Sequence, residues 1–226
     1  MNKIIFAVSL IVLMFVFVLI CIPPTVSTFS SDIDVLIDAG HGYPDGGAVA
    51  SDGTAEADLN LAIASKLYEL LSKNGIKCAM IRDSGDSVYT EGDSIHAKKI
   101  SDVKNRVKRA KANPNAYVIS IHMNTFPSND VQGAQVFYKK DSDKSKDIAS
   151  EIQNAINLRL QTDNKKTIKQ IPKNVYFFNH IENNSVLIEC GFLTNINDLT
   201  KLKDERYQKE IANIISEVLI FKLLGE

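Results

Sequence analysis

The sequence predicts an α/β fold with a largely parallel sheet, and three features of the 226-residue chain predict it. Short apolar runs suited to buried strands alternate with helix-patterned segments almost throughout. Runs such as Val35-Leu36-Ile37 and Val186-Leu187-Ile188 show no polar alternation, as in strands covered on both faces. Polar residues gather just after these runs, where open α/β sheets carry ligand and catalytic groups.

The first element is the N-terminal run. Met1-Asn2-Lys3 is a short positive start, and Ile4 to Ile22 is apolar except for Ser9. Roughly 19 such residues suffice to span a hydrocarbon core as a helix. Lys3 precedes it and no Lys or Arg occurs in Thr25 to Ser31, so the positive-inside rule places the C-terminal bulk outside. Residues 1–24 are expected to be an uncleaved signal anchor, with a cleaved signal peptide as the alternative. Residues 25–32 are expected to be a tether and 33–226 one catalytic domain.

Within that domain Asp34 to Ala39 is expected as a strand, followed by the glycine-rich loop Gly40 to Gly47. Glu56 to Lys73 is the clearest helix: Leu59, Ile63, Leu67 and Leu70-Leu71 recur every three or four residues, and Asn74-Gly75 stops it. Further strands are expected at Ile76 to Arg82, Tyr117 to Ile121, Gly133 to Tyr138, Val175 to Phe178 and Val186 to Glu189. Helices are expected at His96 to Ala112, Asp143 to Leu160 and, as one or two pieces, Asp198 to Leu224. Asn164 to Lys173 is basic and expected as a loop. The charges nearly balance, 26 Lys and Arg against 27 Asp and Glu, so no basic excess indicates nucleic acid. The basic stretch from Lys98 to Lys111, including Lys104, Arg106, Lys108 and Arg109, is expected to be a solvated helix face.

Three polar residues share a position. His41 follows the first strand, His122 follows the strand ending at Ile121, and Glu189 closes Val186-Leu187-Ile188. Glu56 opens the long helix and joins them if the glycine-rich loop folds back over the sheet. Two imidazoles and a carboxylate form a familiar catalytic zinc set that leaves a position for water. A second carboxylate then serves as general base. The assignment is His41, Glu56 and His122 as Zn²⁺ ligands and Glu189 as base. Each residue also has a plainer reading. Glu56 suits a helix N-terminus through the dipole, His41 suits a turn and His122 suits a core site. Glu189 is the sharpest, because a carboxylate after Val-Leu-Ile is costly to bury without a partner. His96 and His180 read as exposed. Cys78 and Cys190 read as small buried thiols.

Four motifs carry a resemblance. Asp38-Ala39-Gly40-His41-Gly42 with Asp45, Glu56 to Ala62, Ser120 to Asn124 and Ile188 to Asn195 occur in the order found in zinc-dependent N-acetylmuramoyl-L-alanine amidases of the Amidase_3 type. The chain resembles that family over about Asp34 to Leu224. The resemblance implies a mixed, mostly parallel sheet of about six strands flanked by helices. It implies cleavage of the amide joining N-acetylmuramic acid to the L-alanine of the peptidoglycan stem peptide. Zinc would be held by His41, Glu56 and His122, with Glu189 catalytic and Asn124 and Gln135 near substrate. Ser94-Ile95, Lys98-Lys99, Asp102, Arg106 and Gly133 to Tyr138 look like the germination-specific amidases that prepare spore cortex for muramic-δ-lactam formation. The partners implied are peptidoglycan and, through the N-terminal helix, a membrane; nucleic acid is not expected, and an accessory protein is left open. The loop Gly42-Tyr43-Pro44-Asp45, Met123 and Cys190 depart from the usual family residues. Three other readings stay open: a thiol hydrolase using Cys190, a non-catalytic or partner-dependent wall-binding membrane protein, and a zinc peptidase on a similar α/β scaffold.

Overall fold

The computed structural model describes residues 32–225. The expected anchor and all but the last residue of the tether lie outside them. No helix among the described residues is long and apolar enough to cross a membrane.

A six-stranded sheet runs in the order β2-β1-β3-β6-β4-β5. The strands are β1 (Val35–Ala39), β2 (Cys78–Met80), β3 (Tyr117–Asn124), β4 (Gln135–Tyr138), β5 (Lys169–Gln170) and β6 (Ser185–Phe192). The first four in spatial order are mutually parallel, β4 runs antiparallel to β6, and β5 is parallel to β4. The helices are α1 (Glu56–Lys73), α2 (Ile95–Lys111), α3 (Asp143–Arg159), α4 (Tyr176–Asn179), α5 (Ile196–Lys203) and α6 (Glu205–Leu224). The mixed, mainly parallel sheet flanked by helices is therefore as expected.

The two faces of the sheet bury different residues. Val35, Ile37, Ile119, Ile121, Val186 and Ile188 meet Ile63 and Leu67 of α1, Ile152 and Ile156 of α3, and Ile211 and Ile215 of α6. Each such side chain, fully removed from water, contributes about 1.5–3 kcal/mol before conformational entropy is set against it. The residues one place along each strand face the other way. There Leu36, Val118 and Leu187 pack with Val107 and Ala110 of α2 and Phe177 and Phe178 of α4.

Three expectations are corrected. Val175 to Phe178 is not a strand but leads into the one-turn helix α4. Phe177 and Phe178 are consecutive and both buried, which a helical turn pressed into a corner permits and an alternating strand does not. The basic loop Asn164 to Lys173 contains edge strand β5, whose two residues pair through the backbone while remaining exposed; with no apolar face, nothing in its composition marks it. Arg106 does not belong to a solvated face. It is 4% exposed and lies on the inward stripe of α2 with Asp102, Val107 and Ala110.

Candidate active site

Strand register places the central pair. β3 continues through His122 to Asn124, and His122 stands directly opposite Glu189 on β6. Both side chains lie on the α2 side, one residue after Ile121 and Ile188 on the apolar side. His41 comes from the loop after β1, and Glu56 from the first residue of α1. That N-terminus reaches the sheet because the intervening loop doubles back: Glu56 N donates to the Ala48 carbonyl (2.8 Å) and Ala57 N to that of Gly46 (3.0 Å).

The Glu56 carboxylate lies between the two imidazoles. Its Oε1 is 2.9 Å from His122 Nδ1 and its Oε2 is 3.2 Å from His41 Nε2. Met123 N and Ala48 N also donate to it, at 3.2 and 3.0 Å. Burial opposes its charge, but the two histidines outweigh burial and hold its pKa well below the usual carboxylate range. One ligand-type atom from each of His41, Glu56 and His122 lies within 4.8 Å of the other two. An ion bonded at about 2.0–2.2 Å draws in such a set by small side-chain rotations. The residues present fit a metal ion.

The backbone is shaped for this crowding. A Cβ at Gly40 would fall 2.2 Å from Cε1 and Nε2 of His122. One at Gly47, where φ is +71°, would fall 2.6 Å from Glu56 Oε2 and 2.8 Å from His41 Cδ2. His41 itself holds φ at 58°, a region costly for a side chain with a Cβ. Two buried arginines fasten this segment. Arg106 donates to the His41 and Ala39 carbonyls and pairs with Asp38 and Asp102. Arg82 donates to the carbonyls of Ala39 (2.8 Å), Gly40 (2.9 Å) and Ala57 (2.8 Å). It thereby joins the strand end carrying His41 to the helix start carrying Glu56. Burial would raise the Asp38 carboxyl, but Arg106 beside it holds it below its ordinary value.

His41 is oriented from behind. Its Nδ1 is 3.0 Å from Asp45 Oδ2, which is also 3.0 Å from Lys99 Nζ. Burial disfavours its charge, yet its bonds to Asp45 and Glu56 raise its pKa to about 9. The unusual loop thus places a carboxylate behind the ring, the arrangement that fixes a ligating histidine. Glu189 has the opposite environment. Its buried Oε2 has no hydrogen-bond partner among the described residues, and burial, with Glu56 nearby, raises its pKa to about 7.

Residues 35–220 match the Amidase_3 family, N-acetylmuramoyl-L-alanine amidase. The chain belongs to this family. It is 32% identical over 182 residues to the germination-specific N-acetylmuramoyl-L-alanine amidase of Bacillus subtilis, covering 80% of this chain and 76% of that one. Among solved structures, the CwlD amidase of Clostridioides difficile in complex with the GerS lipoprotein superposes with a TM-score of 0.79 at 36% identity, covering 85% of this chain and 98% of that one. An N-acetylmuramoyl-L-alanine amidase from Clostridium difficile 630 gives 0.72 at 29% identity, with 84% and 96% covered.

Within this amidase the remaining expectations separate. Asn124 ends β3 beyond a register shift, half-buried, its Oδ1 accepting from Thr125 N at 2.8 Å. Gln135 stands opposite Glu189 in the sheet, but its amide nitrogen donates to the Thr167 carbonyl and, at 3.4 Å, to Gln153. Met123 and Cys190, the departures beside His122 and Glu189, both point into the apolar core. Cys190 is a free thiol, and burial pushes its pKa up. That is the environment of an inert thiol rather than a nucleophile. His96 and His180 are exposed, as expected. The sequence assigns Arg82 no role, and it places Lys99 and Arg106 on a solvated helix face rather than at the site. Arg106 left a signal, a charge on the inward helical stripe with Asp102 four residues before it.

Proposed function

We propose that this amidase hydrolyses the bond between the lactyl carboxyl of N-acetylmuramic acid and the L-alanine of the stem peptide, with His41, Glu56 and His122 holding a zinc ion. The observation that carries the assignment is the adjacency of His122 and Glu189 on paired strands beside the His41–Glu56 contact. Bound there, zinc supplies a charge that polarises the amide carbonyl and makes water acidic at neutral pH. Asp45 holds the His41 ring so that Nε2 faces the cluster. Glu189 accepts a proton from water at its unpartnered Oε2 and delivers it to the leaving nitrogen of L-alanine. Burial strengthens its hold on a proton relative to a surface carboxylate, which suits a group that both accepts and delivers one.

The likeness to the Bacillus germination-specific amidase supports action on spore cortex, where stem-peptide removal precedes muramic-δ-lactam formation. The apolar run from Ile4 to Ile22 supports anchoring outside the cytoplasmic face of a membrane, with secretion after cleavage as the alternative. Mass spectrometry of muropeptides incubated with the protein tests the reaction. Intact stem peptides with a free L-alanine amine are expected, and a chelator should stop their release. Muropeptides left whole by zinc-loaded protein would overturn the proposal. Fractionation of cells making the full chain, or the chain without residues 1–24, tests the anchor: only the former should sediment with membranes.

A further inference from the structure

The His–Glu–His cluster does not account for a cavity of about 220 Å³ beside it on the α2 side. His41 and His122 form one end. Val103 of α2 and Val175, Phe177 and Phe178 around α4 supply apolar walls. Asp38, Asp102 and Arg106 also line it, but they offer a ligand no free charge. Asp38 is bonded by Arg106 and Ser120, and Asp102 by Arg106 and Val88 N, so all four carboxylate oxygens already have donors. The other cation in the lining is Lys99. Its side chain is 55% exposed, and among the described residues its ammonium touches Asp45 alone of the carboxylates, at 3.0 Å. An ammonium has three donors, so Lys99 can take a second anion without leaving Asp45. Exposed Tyr176, stacked on His180 with ring centroids 3.7 Å apart, also lines it, as does Asp45, whose carboxylate is bonded to His41, Lys99 and Gly47 N.

We propose that this cavity is the subsite for the peptide side of the scissile bond. The L-alanine methyl lies against Val103 and the α4 aromatics, and Lys99 binds the first free carboxylate beyond it, the α-carboxylate of the γ-linked D-glutamate. This rests on the amidase reading above. The two sides of the substrate differ in charge, which decides between them: the N-acetylated sugar is neutral, whereas the peptide brings a carboxylate one residue past a small apolar side chain. An apolar pocket with one solvent-reaching ammonium complements the second.

The test is equilibrium binding to the zinc-loaded full chain in detergent, using L-alanyl-D-glutamate γ-methylamide, whose one carboxylate is the α-carboxylate, and its α-amide. Neither contains the scissile bond, so binding is read without turnover. The free acid is expected to bind about tenfold more tightly, as for a charge-assisted contact at a partly exposed site. In Lys99→Gln the preference should fall to within about twofold, and in Lys99→Arg it should return. Comparing acid with amide on the same variant cancels any effect passed through Asp45 to His41. Lys98→Gln should keep the preference, because the Lys98 ammonium sits over the Tyr89 ring, 4.8 Å from its centroid. Equal binding of acid and amide to the wild type, or an undiminished preference in Lys99→Gln, would overturn the subsite even if muropeptides are cleaved. The expected preference with muropeptides left intact would uphold the subsite and remove the amidase reading instead.

Discussion

Ile37, Ile121 and Ile188 lie on one face of the sheet, all fully buried. The next residue in each strand, Asp38, His122 and Glu189, projects from the opposite face. On the first face three long helices cover a continuous apolar layer. On the second a shorter apolar layer gives way, toward the strand ends, to two buried arginines, two buried aspartates and the site itself. The apolar face can be unspecific about contacts because dispersion and water exclusion have no direction. The ionic face holds groups whose burial is costly unless each has a partner in the right geometry. Stability and chemistry are thus separated by one residue of strand register.

Adjacent residues should separate the two faces most strongly. Glu189→Gln should lower amide hydrolysis by a factor of about 10³ or more, combining the proton transfer with its electrostatic setting. Cys190→Ala, one position on and facing the core, should leave kcat/KM within about twofold; the reverse pattern would restore the thiol mechanism. Next in size, Arg106→Ala strands Asp38 and Asp102 and should cost about 3–5 kcal/mol in denaturant unfolding. Ile215→Ala on the other face should cost a comparable 2–5 kcal/mol by leaving a cavity. Only the arginine variant should also weaken zinc binding in a competition titration, because it releases the His41 carbonyl.

The faces should also differ in pH response. Burial raises Glu189 from its ordinary 4.5 to about 7, so the folded metal-free protein holds that proton more tightly than the unfolded chain. Its contribution to stability is full below pH 4.5 and is lost as pH rises toward 7, a fall on the order of 2–3 kcal/mol. Thermal unfolding of metal-free wild type and Glu189→Gln across that interval should show the variant losing less; parallel curves would refute it. The smallest effect belongs to the surface. Breaking the half-exposed Lys203–Asp52 pair with Lys203→Gln should leave the thermal midpoint essentially unchanged.

What the sequence disclosed follows the same division. The apolar face was legible because Leu59, Ile63 and Leu67, or Val35 to Ile37, repeat at the spacing that burial demands. The four candidate site residues were legible because they end strands or open a helix, and because their motifs match a family in order. Val175 to Phe178 misled, since a short apolar run has no period to distinguish a helical turn from a strand. β5 was invisible because a two-residue edge pairing needs only backbone atoms. Arg106 was hidden among surface lysines, as charge alone does not reveal which side of a helix a residue occupies until Asp38, sixty-eight positions earlier, is known to lie beneath it.

His122 and Glu189 share one rung of the central ladder, on adjacent strands, and no hinge or mobile loop intervenes between them. Their separation is set by interstrand spacing, so it persists as long as the sheet does. Heating should therefore not detune this pair gradually. Residual turnover and the cooperative loss of tertiary signal should fall together, over the same few degrees.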